Sequence, residues 1–156
     1  MSRAIADAVL AGAVGLLTMM FGAGAYQAVV IAPNWRTPEG LLAYRTLIHR
    51  RHDGHYFQVL APVTIVVAVA AVILSLAAGT NAVLAGWPLA AVTLAEVFTV
   101  VYFMPPNRRL FFTPAEAQPG ALSRALVRRW ERANLVRLAI MAAGVVAGLL
   151  ALVHGS

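Results

Sequence analysis

The chain has 156 residues, of which 61% are hydrophobic and only 12% charged. A soluble domain of this size carries about a quarter charged residues, so the composition excludes an ordinary water-soluble fold and fits one integral membrane domain over 1–156. There is no cysteine, which excludes disulfides and thiolate chemistry, and the net charge of +6 rests on arginine without a single lysine, which excludes a lysine Schiff base.

The first apolar run covers residues 8–32. It begins like a signal peptide, with Arg3 ahead of apolar residues, but it is far longer than the roughly 7–15 residues of a secretory h-region, and Asp7 interrupts its start. It is expected to be a retained transmembrane helix. It closes on "YQAVVIAPNWR", where Trp35 reads as an anchor at the membrane interface. Trp87 reads the same way at the opposite end. Next, "TPEG" sets Thr37 as an N-cap and Pro38 at the first position of a helix.

"HRRHDGHYF" follows, with His49, His52 and His55 spaced three apart and Gly54 breaking the helix before the last of them. Three uses are open to these imidazoles: decoration of the interface, acid–base or substrate contact, and ligation of a transition metal with Asp53 nearby.

Apolar runs over 57–79 and 83–104 are joined by the tight turn "GTN" and form an antiparallel hairpin. After "MPPNRRLFF" the pattern "TPAE" predicts a second loop helix, with Thr113 as cap, Pro114 after it and Glu116 completing a capping box. From Ala121 no breaker occurs before the last apolar run, 134–153. The fold expected is all-α: an integral membrane four-helix bundle with two helical loops.

Arginine placement orients it. Arg36, Arg45, Arg50 and Arg51 fall in the first connection, and Arg108, Arg109, Arg124, Arg128, Arg129 and Arg132 in the third, whereas the other side holds only Arg3. The positive-inside rule puts both long loops in the cytoplasm and both termini outside. The alanine-rich, arginine-only usage suits a GC-rich bacterial genome, hence the bacterial inner membrane. Such arginines meet anionic lipid head groups and do not imply nucleic acid. Gly144 and Gly148 form a GxxxG pair, with the looser Ala11 and Gly15 in the first span. Packing within the bundle is the simpler use of them, a homo-oligomer seam the other.

Polar residues concentrate at the loop end of the bundle. Glu96 lies roughly 12 Å inside the third span at ~1.5 Å per residue, where a carboxylate must face the interior or a partner. Glu96, Phe103 and Asn107 share a face with Thr99 beside them. On the fourth span Trp130, Asn134, Arg137 and Met141 share another. Glu96 and Arg137 are therefore candidates to pair. They would either fix helix register as a buried ion pair or line a pocket for a lipophilic small molecule.

"MPPNRRL" and "RRWERANLVRL" together resemble the anthrone oxygenase-like family of small four-helix membrane proteins. Its P-x-N-x-x-L element falls on Pro105, Asn107 and Leu110, and its W-x-x-x-N-x-x-R element on Trp130, Asn134 and Arg137. Fungal members oxidise an anthrone to an anthraquinone with molecular oxygen and no obvious cofactor. The resemblance implies a base that removes a proton from the acidic CH₂, namely His52, His49 or Glu96. It implies Asn107, Asn134 and Arg137 as donors to the developing oxyanion, and Trp130, Phe103 and Tyr102 stacking on a planar substrate. The histidine segment departs from the fungal members and points to a separate bacterial subgroup.

Three function classes follow: a membrane oxygenase, a scaffold or accessory subunit, and a transporter. An apolar-walled pocket closed at its far end favours the first, a solid bundle the second and a continuous polar path the third.

Overall fold

Each apolar run is helical, because a backbone in hydrocarbon has to satisfy its own N–H and C=O groups. The structure is a computed structural model that describes residues 2–48, 54–113 and 120–154, and every regular element among them is helical. Among the described residues, four segments are long and apolar enough to cross a membrane: Arg3–Arg36, His55–Ala78, Ala82–Phe112 and Leu122–His154. This is a membrane protein.

The first segment comprises α1 (Arg3–Tyr26), a π-helical turn (Gln27–Ile31) and a 3-10 turn (Ala32–Arg36). Helix α2 (Pro38–Ile48) begins as expected, with Thr37 Oγ1 accepting from the Gly40 N–H at 3.1 Å. Helix α3 (Gly54–Ala78) forms the second span, starting at Gly54. It ends at Gly79, whose φ of +69° is open to glycine and strained for other residues. Asn81 caps the short α4 (Ala82–Ala85), accepting from Leu84 N–H at 3.1 Å, and α5 (Trp87–Phe98) follows. A second π-helical turn (Thr99–Phe103) leads into α6 (Met104–Phe112). Helix α7 (Gly120–His154) runs unbroken for 35 residues, joining the loop helix to the last span. The expected cap at Pro114 and Glu116 lies outside the described residues.

The third span outruns its expected end at residue 104, because its prolines fall where the helix already departs from α geometry. A proline has no N–H to give, and its ring clashes with the carbonyl four residues back. In both spans a π turn precedes the proline. Ala32 N–H donates five residues back to Gln27 O ahead of Pro33, and Met104 N–H donates to Thr99 O ahead of Pro105 and Pro106. The wider coil accommodates the rings, and each helix continues.

Helix α1 packs along α3 and α7, and α5 along α7, whereas α3 and α5 meet over a shorter stretch. The tight seams need small residues. A Cβ on Gly144 would collide with Ala91 of α5, and one on Gly148 would lie 2.5 Å from Val14 Cγ2 of α1. The GxxxG pair thus serves packing within the bundle. Gly15 of the first-span pair has nothing within 4 Å and faces outward. At the loop end, Arg45 Nε donates to Leu110 O at 2.6 Å, which satisfies a carbonyl in the last turn of α6 and ties α2 to it. Arg36 and Glu131, 2.8 Å apart, join the end of the first span to α7.

Candidate functional site

Where α3 and the third span diverge, a cavity of about 770 Å³ opens in the loop half of the bundle. Its size suits a drug-sized ligand. Aromatic rings make much of its wall: Trp35, Tyr44, Phe57, Phe103, Phe111 and Trp130. They brace one another. The Trp35 ring lies 4.7 Å from Tyr44, 4.9 Å from Phe111 and 4.8 Å from Trp130 between centroids, and Phe103 lies 5.3 Å from Trp130. Offset and edge-on pairs of this kind hold a rigid apolar slot.

Polar groups enter at two levels. Near the loops, Asn107 Oδ1 accepts from Trp130 Nε1 at 2.9 Å. An indole N–H can only donate, so it fixes which way the amide points, and the Asn107 NH₂ is the end left for another acceptor. Deeper lie Glu96, Thr99, Gln27 and Arg137. The Arg137 guanidinium sits between two rings, its Cζ 4.9 Å from the Phe103 centroid and 5.3 Å from that of Phe57. Its Nη2 donates to Asn134 Oδ1 at 2.8 Å, and longer contacts of 3.5 Å run to Gln27 Oε1 and Thr99 Oγ1. Those two residues open the two π turns. The irregularities imposed by the prolines therefore lie beside the arginine, where such bulges often mark functional sites.

Beyond Arg137 the bundle is closed by a packed layer of Leu17, Met20, Val92, Ala95, Leu138 and Met141. Gly24 lets α1 approach there, since a Cβ on it would lie 3.1 Å from Leu138 Cδ2 and 3.5 Å from Arg137 Nη2.

The structure gathers Glu96, Phe103, Asn107, Trp130 and Arg137 around one space. Two of the expected site residues stand off its wall. Asn134 is fully buried off the cavity wall, its Nδ2 donating to Gly24 O at 3.2 Å while its Oδ1 accepts from Arg137. Tyr102 also lies off the cavity, stacked on Phe98 at 5.0 Å and with Arg129 Cζ 4.7 Å from its ring centroid. Among the described residues, ion pairs join Arg3 to Asp7 and Arg36 to Glu131, and Glu96 and Arg137 line the same cavity.

His49 and His52 lie outside the described residues, and His55 does not line the cavity. Among the described residues there is no group of three His, Cys, Asp or Glu side chains placed to hold a metal.

Sequence reasoning missed Trp35. It is not an interface anchor: only 2% of it is exposed, it sits at the centre of the aromatic cluster, and its Nε1 finds no hydrogen-bond partner among the described residues. Phe57 and Phe111 carried no signal beyond being aromatic. Gln27 did carry one: an amide in an apolar run, six residues before Pro33 as Thr99 is before Pro105.

The profile of one family, described as anthrone oxygenase, matches residues 53–147, more than half of the chain. The chain belongs to the anthrone oxygenase family. The match takes in both the third-span and fourth-span motifs, and with them every cavity residue from Phe57 to Arg137. Membership of the anthrone oxygenase family supports an oxygenase-like function in general terms. No curated protein and no solved structure matches the chain.

Proposed function

We propose that this membrane protein is an oxygenase acting on a lipophilic, planar aromatic of anthrone- or quinone-like type, by base-assisted reaction with O₂. The observation that carries the reading is the aromatic-walled cavity holding Glu96, Asn107 and Arg137 at its polar points. Glu96 is the base among the described residues, with His52 and His49 the other candidates. It takes one proton from the CH₂ between the two aryl rings. The negative charge passes to the ring-ketone oxygen, where Arg137 and the Asn107 NH₂ stabilise it as donors already in place. The two 3.5 Å contacts of Arg137 are long for charge-assisted bonds, so an anionic oxygen competes well for those N–H groups.

The electron-rich carbon then bonds to O₂, the peroxide anion takes back the proton held by the base, and the resulting hydroperoxide loses water. One oxygen atom ends in the new carbonyl and the other in water, so CH₂ plus O₂ gives C=O plus H₂O. The carbon supplies the four electrons that O₂ accepts. Asn134 acts through Arg137, and Trp130 through Asn107 and by stacking. On this reading no resident cofactor is needed, and a transition metal on the histidine segment would mark a different mechanism. The same reading places the protein in a bacterial inner membrane with both long loops in the cytoplasm.

The test is the initial rate of anthrone oxidation, above the rate without protein, in Glu96→Gln and in the His49→Ala/His52→Ala pair. Loss of a general base costs on the order of 10²–10⁴-fold, and one of the two variants is expected to show it. Unchanged rates in both would contradict base assistance by these groups.

A further inference from the structure

We infer that the cavity receives its substrate sideways from the bilayer, through a cleft between α3 and the third span with Val100 and Met104 as its lip. The inference rests on the proposed function and names the substrate class more closely: a flat, uncharged polycycle dissolved in lipid. Glu96, Val100, Met104, Arg108 and Phe112 recur at every fourth position of the third span, and all five line the cavity. Four of them also face outward, with Val100 63% and Met104 45% exposed. Gln58 of α3, likewise both exposed and lining, stands on the other side.

A residue that lines a cavity and is also exposed on the flank of a spanning helix marks an opening to lipid. The opening falls where the bundle is least closed, since α3 and α5 meet over a shorter stretch than the other neighbouring spans. From Glu96 to Arg108 the cleft runs roughly 18 Å at ~1.5 Å per residue, long and narrow as a flat polycycle requires. Its lip is apolar at Val100 and Met104 and cationic only at Arg108, so a neutral lipophile passes the middle without desolvating a charge.

Two other routes compete. One is axial, past Arg108 and Thr113 at the loop end, and would suit a substrate arriving from water. The other is a second apolar recess of about 540 Å³ between α1 and α3, which shares Gln27, Tyr44 and Phe57 with the main cavity but does not reach Glu96 or Arg137.

The chain has no cysteine, so one introduced thiol is unique. Val100→Cys, Met104→Cys and Thr113→Cys are each reconstituted in phosphatidylcholine vesicles, with and without modification by a bulky apolar maleimide. The probe is 9,10-anthraquinone, and its arrival is followed by quenching of tryptophan fluorescence, since Trp35 and Trp130 line the cavity. The unmodified variants check that each folds and binds as the parent does. Labels at Val100→Cys and Met104→Cys are expected to slow arrival several-fold, and the label at Thr113→Cys to leave it unchanged. Slowing by the Thr113→Cys label to the same degree, or no slowing at Val100→Cys and Met104→Cys, overturns the lateral route. Absence of quenching in the parent protein overturns the cavity as a ligand site, and the route with it.

Discussion

Asn134 and Arg137 were both expected to donate to an oxyanion, yet the structure divides them. The spacing of three put both on one helix face, which is as far as sequence can go. Which of them meets the cavity depends on α1, which Gly24 brings close enough to offer its carbonyl to Asn134. The amide thereby becomes a strut that holds Arg137. Asn134→Ala removes the shortest acceptor of Arg137 Nη2 and one of the two donors to Gly24 O. The expected cost is about 1–2 kcal/mol, between the average for polar contacts within membranes and the cost of an unsatisfied buried group. Unfolding in mixed detergent checks this. Because the strut acts through Arg137, activity is expected to fall more in Asn134→Ala than in a packing variant of equal stability.

At the cavity itself Asn107→Ala removes the amide donor and leaves Trp130 Nε1 without its acceptor. It is expected to lower kcat by about 10²-fold, the usual effect of losing one oxyanion donor, with less change in KM. A raised KM with kcat unchanged would instead point to a binding role. Glu96 was legible from its depth alone. Trp35 was not, because a tryptophan at the end of a span reads as an anchor until a second layer of structure covers it. Here Tyr44 of α2 and Phe111 of α6 supply that cover.

Among the elements, the four spans, the turn at Gly79, the cap at Thr37 and the uninterrupted α7 were all readable, since each rests on local chemistry. The π turns were not. Prolines inside an apolar run suggest a helix end, and the expected end of the span at residue 104 falls just before Pro105. The two prolines instead sit just after a widened turn that places Thr99 against Arg137. The GxxxG pair was readable as a packing device, and the structure supplies its partners. Gly144→Leu drives a large side chain into Ala91 and Leu17. Overpacking of this kind costs typically ~1–3 kcal/mol, and loss of thermal stability in detergent checks it. Gly15→Leu, on an open face, is expected to change stability little, which makes it the control.

The whole molecule is a bundle with unlike ends. Its terminal half is packed through Leu10, Val14, Ala71 and Ala85, and the middle is closed by Leu17, Val92 and Met141. Its loop half is hollow and edged with arginine. That asymmetry favours a site for one lipophilic molecule over a path through the membrane. The arginines on the two connections lead us to expect those loops in the cytoplasm. Thr113→Cys in spheroplasts is expected to react with a membrane-impermeant maleimide only after the cells are opened, and prompt reaction in intact spheroplasts would reverse the orientation.

The most direct test of the account is oxygen uptake by purified protein turning over anthrone, with Arg137→Gln beside the parent. The account predicts one O₂ consumed per anthrone, a rate well above the protein-free reaction, and a loss of about 10²-fold or more in Arg137→Gln while the variant stays folded. Uptake no faster than without protein, or equally fast in Arg137→Gln, would contradict the assignment of this cavity as the oxygenase site.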